Sequence, residues 1–470
     1  MKVRALHRDV LHRGPSHAWT RLRGLDLDAP CHATYPAPDR FVEAFDAASY
    51  RRWLRRRGLA GAGPLALHVH LPFCAPGCQH AACDSVVGRG LRRARDYLRQ
   101  LGREVELLVA ELGRGQPVSL MYWGGGTPNY FSADELAELA DTIRARFQLR
   151  AGGDHAIEID PQEAEPDLAR RLAAMGFNRL VVGVPELDPG VLQAMGRVPA
   201  AGPTAEFMAE ARATGFRSVG VALACGLPGQ APTSFAQTLE RLIAMQPDRI
   251  ILRDLGRPPQ RCRNRRRLRA DEPPSLAQLT ALHACAHECL AAADYEFVGM
   301  GHFALPGDPL ARAHRAGHLD WGCHGYSTQP EPELIGFGAA AISRVGASYS
   351  QNLRAPDEYA DAVRQGLLPV ARGIELDADD LVRRAVIHGL CGSGRVATES
   401  IEIAHLIDFG SYFAAEIQAL GPWVDAGLVE VDPEWILVTP AGRRYLRAIS
   451  ACFDRYQRES ARRASVDPIL

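Results

Sequence analysis

Cys74, Cys78 and Cys83 fall within ten residues of one another, in a stretch that also holds Pro72, Pro76 and Gly77. Thiolates are the ligands that iron-sulfur clusters need, and a [4Fe-4S] cluster held by three cysteines leaves one iron open for a substrate or cofactor. Proline and glycine between the thiols favour a loop able to wrap such a cluster. Further along stands Trp123-Gly124-Gly125-Gly126-Thr127-Pro128. Successive glycines let the backbone approach a ligand closely, and their N–H and C=O groups suit an amino-acid-like head group. Taken singly, the cysteines read as buried thiols and the glycines as a turn. Their succession at the ends of consecutive strands makes a site the better reading.

The elements that must position these groups follow from periodicity. Short β-rich runs at 65–71, 118–123, 156–160, 179–184, 218–224 and 249–252 alternate with helical patterns at 91–112, 133–147, 165–175, 203–214 and 233–244. Ala94, Leu98, Leu101, Val105, Leu108 and Leu112 mark the apolar stripe of the first of these helices. Strand then helix, repeated, implies a parallel sheet, and without Gly-x-Gly-x-x-Gly at the first turn a full or partial (β/α) barrel is favoured over a dinucleotide-binding fold. The cysteines follow the first strand and the glycines end the second, so both belong to the C-terminal rim where barrel sites form. The expected organisation is an irregular or helical N-terminal segment (1–64), the barrel (65–372) and a helical cap (373–470). In the last, helices at 377–390 and 411–426, strands at 428–431 and 436–439, and a helix from Ala441 give a winged-helix pattern.

Composition narrows the function. A chain of 470 residues with 47% hydrophobic side chains buries a large core, and a formal net charge of -1 provides no general field for nucleic acid or anionic membranes. No apolar run reaches the ~18 residues of a membrane span, and the N-terminus lacks the apolar stretch of a signal peptide, so a cytoplasmic protein is expected. Eleven cysteines, three of them clustered, fit a metal site in a reducing compartment better than a disulfide framework. Lys2 is the only lysine, which excludes Schiff-base and phosphate-loop lysine chemistry from the body of the chain. The Pro- and Arg-rich stretch 257–274 reads first as a solvated loop, then as a carboxylate-binding surface, and last as a nucleic-acid patch, since stacking aromatics are absent. His283, Cys285, His287 and Cys289 alternate along a predicted helix, thiols on one face and imidazoles nearly opposite, and read as structural.

Across nearly its whole length the sequence resembles the oxygen-independent coproporphyrinogen III oxidases (dehydrogenases) of the radical S-adenosylmethionine (SAM) superfamily. The resemblance rests on Ala33-Thr34-Tyr35-Pro36, His68-Val69-His70-Leu71-Pro72-Phe73-Cys74, Gly124 to Pro128, Ile157-Glu158-Ile159-Asp160-Pro161, Gly176 to Leu180, Gly226-Leu227-Pro228, Gly299 to Ala304, Gly325 to Gln329, Ala341-Ile342-Ser343 and Gln351-Asn352. It implies a three-quarter TIM-like radical SAM barrel with a helical, winged-helix-like C-terminal domain, a [4Fe-4S] cluster, and two SAM molecules. It also implies oxidative decarboxylation of two propionates of coproporphyrinogen III to vinyl groups, yielding protoporphyrinogen IX in haem biosynthesis. By the same resemblance Cys74 and Cys78 hold iron, Gly125, Gly126, Thr127, Glu158, Gly256 and Ile342 line SAM, and Arg197 serves a second SAM. A monomer with a tetrapyrrole substrate and an electron donor that the sequence leaves unnamed is implied, with no nucleic-acid or membrane partner.

Departures from the family pattern are concentrated at the site. The third cysteine of Cys-x-x-x-Cys-x-x-Cys is replaced by Ala81, and Cys83 follows two residues late, with His80 as the alternative ligand. His68 stands for a tyrosine, Pro185 for a glutamine, and Ala222 and Gly301 for aspartates. Two classes of function therefore stay in view: a radical SAM oxidoreductase, and a relative that binds porphyrin or haem as carrier or regulator without radical chemistry.

Overall fold

The computed structural model describes residues 31–59, 63–74, 86–87, 91–195, 201–254, 274–329 and 333–458. Two compact units divide the chain: residues 37–381 form one, and residues up to 36 together with 382–470 the other.

The larger unit is built on alternating strands and helices. In chain order these are α1 (Ala47–Leu59), β1 (Leu65–Leu71), α2 (Leu91–Leu112), β2 (Gln116–Gly125), α3 (Ala133–Arg144), β3 (Phe147–Ile159), α4 (Leu168–Ala174), β4 (Arg179–Val184), α5 (Ala201–Ala213), β5 (Ser218–Cys225), α6 (Pro232–Ala244), β6 (Arg249–Asp254) and α7 (Leu276–Ala292). Then follow β7 (Glu296–Gly299), β8 (His302–Ala304), β9 (Glu333–Phe337), β10 (Ile342–Val345), β11 (Ser348–Asn352), α8 (Pro356–Arg364) and β12 (Val370–Glu375). One sheet takes all twelve strands in the order β12-β11-β10-β9-β1-β2-β3-β4-β5-β6-β8-β7. Its centre, β9 to β6, is parallel, and antiparallel strands extend both flanks. The two terminal strands remain edges, so the barrel is partial, as expected. All six predicted strands are present. The seventh parallel strand, β9, was not anticipated: a five-residue run interrupted by Gly336 carries too little periodicity to register.

Each parallel strand sends alternate side chains outward and inward. Leu67, Val69 and Leu71, Met121 and Trp123, Ile157, Val182, Val221 and Leu223 enter the large outer core beneath the helices. The stripe expected on α2 packs there too, with Ala94, Leu101, Val105 and Leu108 essentially inaccessible. Local signals set the helix starts: a capping box joins Ser132 and Glu135 at α3, and another joins Ser275 and Gln278 at α7.

Inward-facing residues form layers. Near the N-terminal strand ends Arg249 pairs with Asp308 at 2.7 Å and Arg179 with Asp154 at 2.9 Å, while Ser218 donates to Asp308. Paired charges of this kind tolerate burial where single ones do not. Beside them, Ala66, Leu120 and Leu334 form an apolar cluster, Leu120 being the register partner of Asp154. The C-terminal rim is polar and holds the site.

Helix α2 supplies a second buried polar centre. Glu104 accepts from the Tyr359 hydroxyl (2.6 Å), the Asn352 amide (2.7 Å) and the Gly338 backbone N–H (2.8 Å). The Gln351-Asn352 motif thus has a structural use, fastening the β9–β11 segment to α2.

In the smaller unit, helix Ala378–Ser393, which spans the division, leads to strand Arg395–Ala397, helix Thr398–His405, helix Ala414–Asp425, strands Val429–Val431 and Trp435–Val438, and helix Leu446–Ala451. Its three strands pair with Trp435–Val438 in the middle. The expected winged-helix pattern lacked Arg395–Ala397 and Thr398–His405, whose short lengths leave almost no sequence signal. Arg383 pairs with Glu416 at 2.6 Å inside this unit, and His32 with Asp454 at 3.3 Å.

Burial pushes Glu104 up from 4.5 to about 7, against the opposing effect of its three donors. A folded-state value above the unfolded one means a stabilising contribution that is complete at low pH and is lost as pH rises through about 7. The thermal midpoint of the protein relative to Glu104→Gln should therefore rise by a few degrees on going from about pH 8 to about pH 5.5, and a pH-independent difference would contradict this assignment.

Candidate functional site

The glycine loop and the cysteine segment are built against each other. Gly126 donates its N–H to Leu71 O (2.9 Å) and Thr127 donates to Phe73 O (2.8 Å). A side chain at Gly126 would collide with both of these carbonyl oxygens. Gly125 takes φ +102°, and a Cβ there would strike the His70 ring. These glycines therefore serve internal packing first, beyond the ligand approach that the sequence predicted. Thr127 Oγ1 lies 3.7 Å from the buried Sγ of Cys74, which ends the two-residue strand Phe73–Cys74.

The next residues reach the following strand. Asn129 donates its side-chain amide to Asp160 O (2.8 Å) and accepts from Asp160 N–H (3.0 Å), tying the loop to the end of β3. A partly open cavity lies between them, with Gly126, Thr127, Glu158, Gly183, Ala222 and Arg253 among its walls. Three of the predicted SAM residues, Gly126, Thr127 and Glu158, thus meet around one space. Gly125 is adjacent, under His70. Ile342 is elsewhere: it opens β10, and its side chain packs against Phe41, Tyr349 and Leu376 instead of the cavity. The predicted Cys78, Cys83, His80, Arg197 and Gly256, together with Ala81 and the arginines of 257–269, lie outside the described residues.

Two cavity groups went unrecognised in the sequence. Tyr122 and Arg253 both donate to Oε1 of Glu158. Tyr122 stands two residues before Gly124, so the strand period turns it inward beside Glu158, and Arg253 is a charge near the end of the otherwise apolar run Ile250-Ile251-Leu252. Those placements were legible, but the pairing across strands was not. The carboxylate beside Arg253 pushes that guanidinium further above its ordinary range, so it stays charged. Burial and the Glu158 charge push the Tyr122 hydroxyl up, so it stays a donor. Glu158 is a held anion, with its orientation set before any ligand arrives.

His68 and His70 share the inward face of β1, their rings 5.8 Å apart, and Tyr122 lies at the same distance from His68. Burial, reinforced by the neighbouring His70 and His324, lowers His68 to about 3 and keeps it neutral. His68 thus adds polarity but no charge to this side of the rim.

The donor set matches SAM: a fixed carboxylate for an ammonium or ribose hydroxyl, a guanidinium for a carboxylate, the Gly126-Thr127 segment as a wall, and space left by Gly183 and Ala222. For an iron-sulfur cluster the described donor is Cys74, a buried thiol against Thr127, which is one of the cavity's walls. On α7, His287 packs on Phe297 and Phe303 at 4.5 and 5.0 Å, and Cys285 donates to Pro232 O, so the four alternating residues do not converge. Among the described residues no helix is long and apolar enough to cross a membrane.

Comparison with known proteins agrees with this geometry. Residues 68–242 match the Radical SAM superfamily. The oxygen-independent coproporphyrinogen III oxidase of Pseudomonas aeruginosa is 39% identical over 437 residues, covering 93% of this chain and 95% of that protein. The enzyme of the same name from Escherichia coli K12 is 36% identical over the same shares. A solved coproporphyrinogen III oxidase from Escherichia coli, described as a radical SAM enzyme, superposes with a TM-score of 0.85 at 35% identity, covering 90% of this chain and 97% of that one. Similarity of this degree over almost the full length of both sequence and fold establishes that the chain belongs to the oxygen-independent coproporphyrinogen III oxidase family of the radical SAM superfamily.

Proposed function

We propose that this protein carries out the oxidative decarboxylation of two propionate side chains of coproporphyrinogen III to vinyl groups, giving protoporphyrinogen IX in haem biosynthesis. The observation that carries this reading is the meeting of Gly126, Thr127 and the clamped Glu158 around one cavity at the C-terminal rim, with the Cys74 segment packed directly behind Thr127. Cys74 would hold iron, with Cys78 and Cys83 as the further thiols of the loop and His80 as the alternative. Gly125, Gly126, Thr127, Glu158, Gly256 and the Ile342 backbone would surround SAM, and Arg197 would serve a second molecule of it. Bound together, cluster and SAM supply one-electron chemistry that removes a hydrogen from a propionate carbon.

The chain's own contribution is placement. Tyr122 and Arg253 hold Glu158 so that it accepts from a ligand donor without reorganising. Val181 adds an apolar wall to the cavity. A cytoplasmic monomer drawing electrons from a separate donor goes with this reading, and the clustered cysteines suit a reducing compartment.

A second reading, a porphyrin- or haem-binding relative without radical chemistry, is favoured by Ala81, whose methyl group cannot ligate iron. Anaerobic reconstitution separates the two. The oxidase reading expects about four irons per chain and deoxyadenosine formation under strong reductant, at least as much in Ala81→Cys as in the protein itself. Far fewer irons, no deoxyadenosine and retained tetrapyrrole binding would overturn it in favour of the carrier. Separately, Tyr122→Phe removes one donor to Glu158 and should weaken SAM binding about fivefold, the equivalent of a hydrogen bond worth about 1 kcal/mol. Unchanged affinity would show that the Tyr122 hydroxyl does not contribute to holding Glu158 for the ligand.

A further inference from the structure

On the outward face of the same strand ends, three side chains of metal-ligand type meet from three separate elements. Cys225 ends β5, Asp254 ends β6 as its direct register partner, and His283 lies on α7. One ligand atom from each lies within 4.8 Å of the others, and His283 Nε2 stands 2.6 Å from Asp254 Oδ1. We propose that Cys225, Asp254 and His283 form a binding site for a divalent transition-metal ion, with Zn²⁺ the best match.

The donor chemistry selects the class of ion. One thiolate, one imidazole and one carboxylate are ligands that Zn²⁺ accepts together, whereas Mg²⁺ and Ca²⁺ select oxygen and iron-sulfur clusters select thiolates. Zinc bonds of about 2.0–2.3 Å in a tetrahedron put ligand atoms roughly 3.3–3.8 Å apart. The present separations bracket that range, so small side-chain rotations suffice while the backbone stays fixed. Adjacent parallel strands hold Cys225 and Asp254 on one face by their register, and α7 presents His283 to both. Access is also provided. Cys225 is fully buried, but the side chains of His283 and Asp254 are 23% and 22% exposed, leaving a solvent side for entry and for a water as fourth ligand.

The position ties the ion to the site without making it part of the chemistry. Strand alternation sends Asp254 outward and its neighbour Arg253 inward to Glu158. An ion joining Asp254, Cys225 and α7 therefore fixes the strand end that carries the clamp on Glu158.

The test uses the full chain, stripped by chelation and titrated with Zn²⁺ and, separately, with Co²⁺, alongside Cys225→Ser and His283→Gln. Expected are one more Zn²⁺ per chain in the unaltered protein than in either variant, affinity at this site weakened at least about 100-fold by each substitution, and a thiolate-to-Co²⁺ charge-transfer absorption that Cys225→Ser diminishes. Thermal unfolding reports whether each variant is folded; His283 is partly exposed on a helix, so His283→Gln provides the decisive comparison should Cys225→Ser misfold. Equal stoichiometry and affinity in the protein and a folded His283→Gln would overturn the proposal. Metal bound only by the Cys74 loop, or by Cys285 and Cys289, gives that result.

Discussion

Two backbone hydrogen bonds organise the rim of this barrel: Gly126 to Leu71 and Thr127 to Phe73. They need a residue without a Cβ at position 126, because the carbonyls of the cysteine segment occupy the space a side chain would take. From this contact the rest follows in order. Thr127 reaches Cys74, Asn129 seizes both backbone groups of Asp160, and the end of β3 is thereby set so that Glu158 faces the loop across a cavity. A disturbance at Gly126 would displace thiol and carboxylate together.

The second constraint is strand alternation, which lets six short strands serve two purposes. Outward residues are apolar and fill the core under the helices, whereas inward residues combine paired charges with Ala66 and Leu120 toward the N-terminal ends and form the polar rim at the other. Glu158 is usable as an anion because Tyr122 from neighbouring β2 and Arg253 from β6, across the barrel interior, satisfy it in a place where an unpaired carboxylate would be costly. Arg253 also means that the pocket is nearly charge-balanced before it is filled. A ligand with both an ammonium and a carboxylate suits such a pair, since each end meets its complement. The departures at His68 and Ala222 fit the same picture. His68 is held neutral by burial, and Ala222 leaves room instead of a second carboxylate.

Much of this was legible in the sequence. Short β-rich runs separated by period-3.6 stretches marked the six strands and the helices between them, because strands buried on both faces read as near-continuous apolar runs and amphipathic helices carry a strong period. Glycines and cysteines at strand ends marked the site for the same reason. What the sequence left hidden was of two kinds. Short elements, such as β9 and Arg395–Ala397, have too few residues for a period to emerge, and tertiary pairing decides them. Contacts across elements were the other kind. Nothing along the chain links Tyr122 to Arg253, or Glu104 to Tyr359 and Asn352, until register and helix packing bring them together. Ile342 shows the same limit: its place in the family pattern does not reveal that its side chain packs against Phe41 and Tyr349.

The central claim is that the Glu158-centred cavity is where SAM binds. Equilibrium binding of SAM to the anaerobic protein and to Glu158→Gln tests it most directly, with thermal unfolding run in parallel to verify the fold. Loss of a charge-assisted hydrogen bond predicts affinity weaker by about 10- to 100-fold in the variant. Equal affinity in a folded Glu158→Gln protein would contradict the account and move the ligand away from this rim.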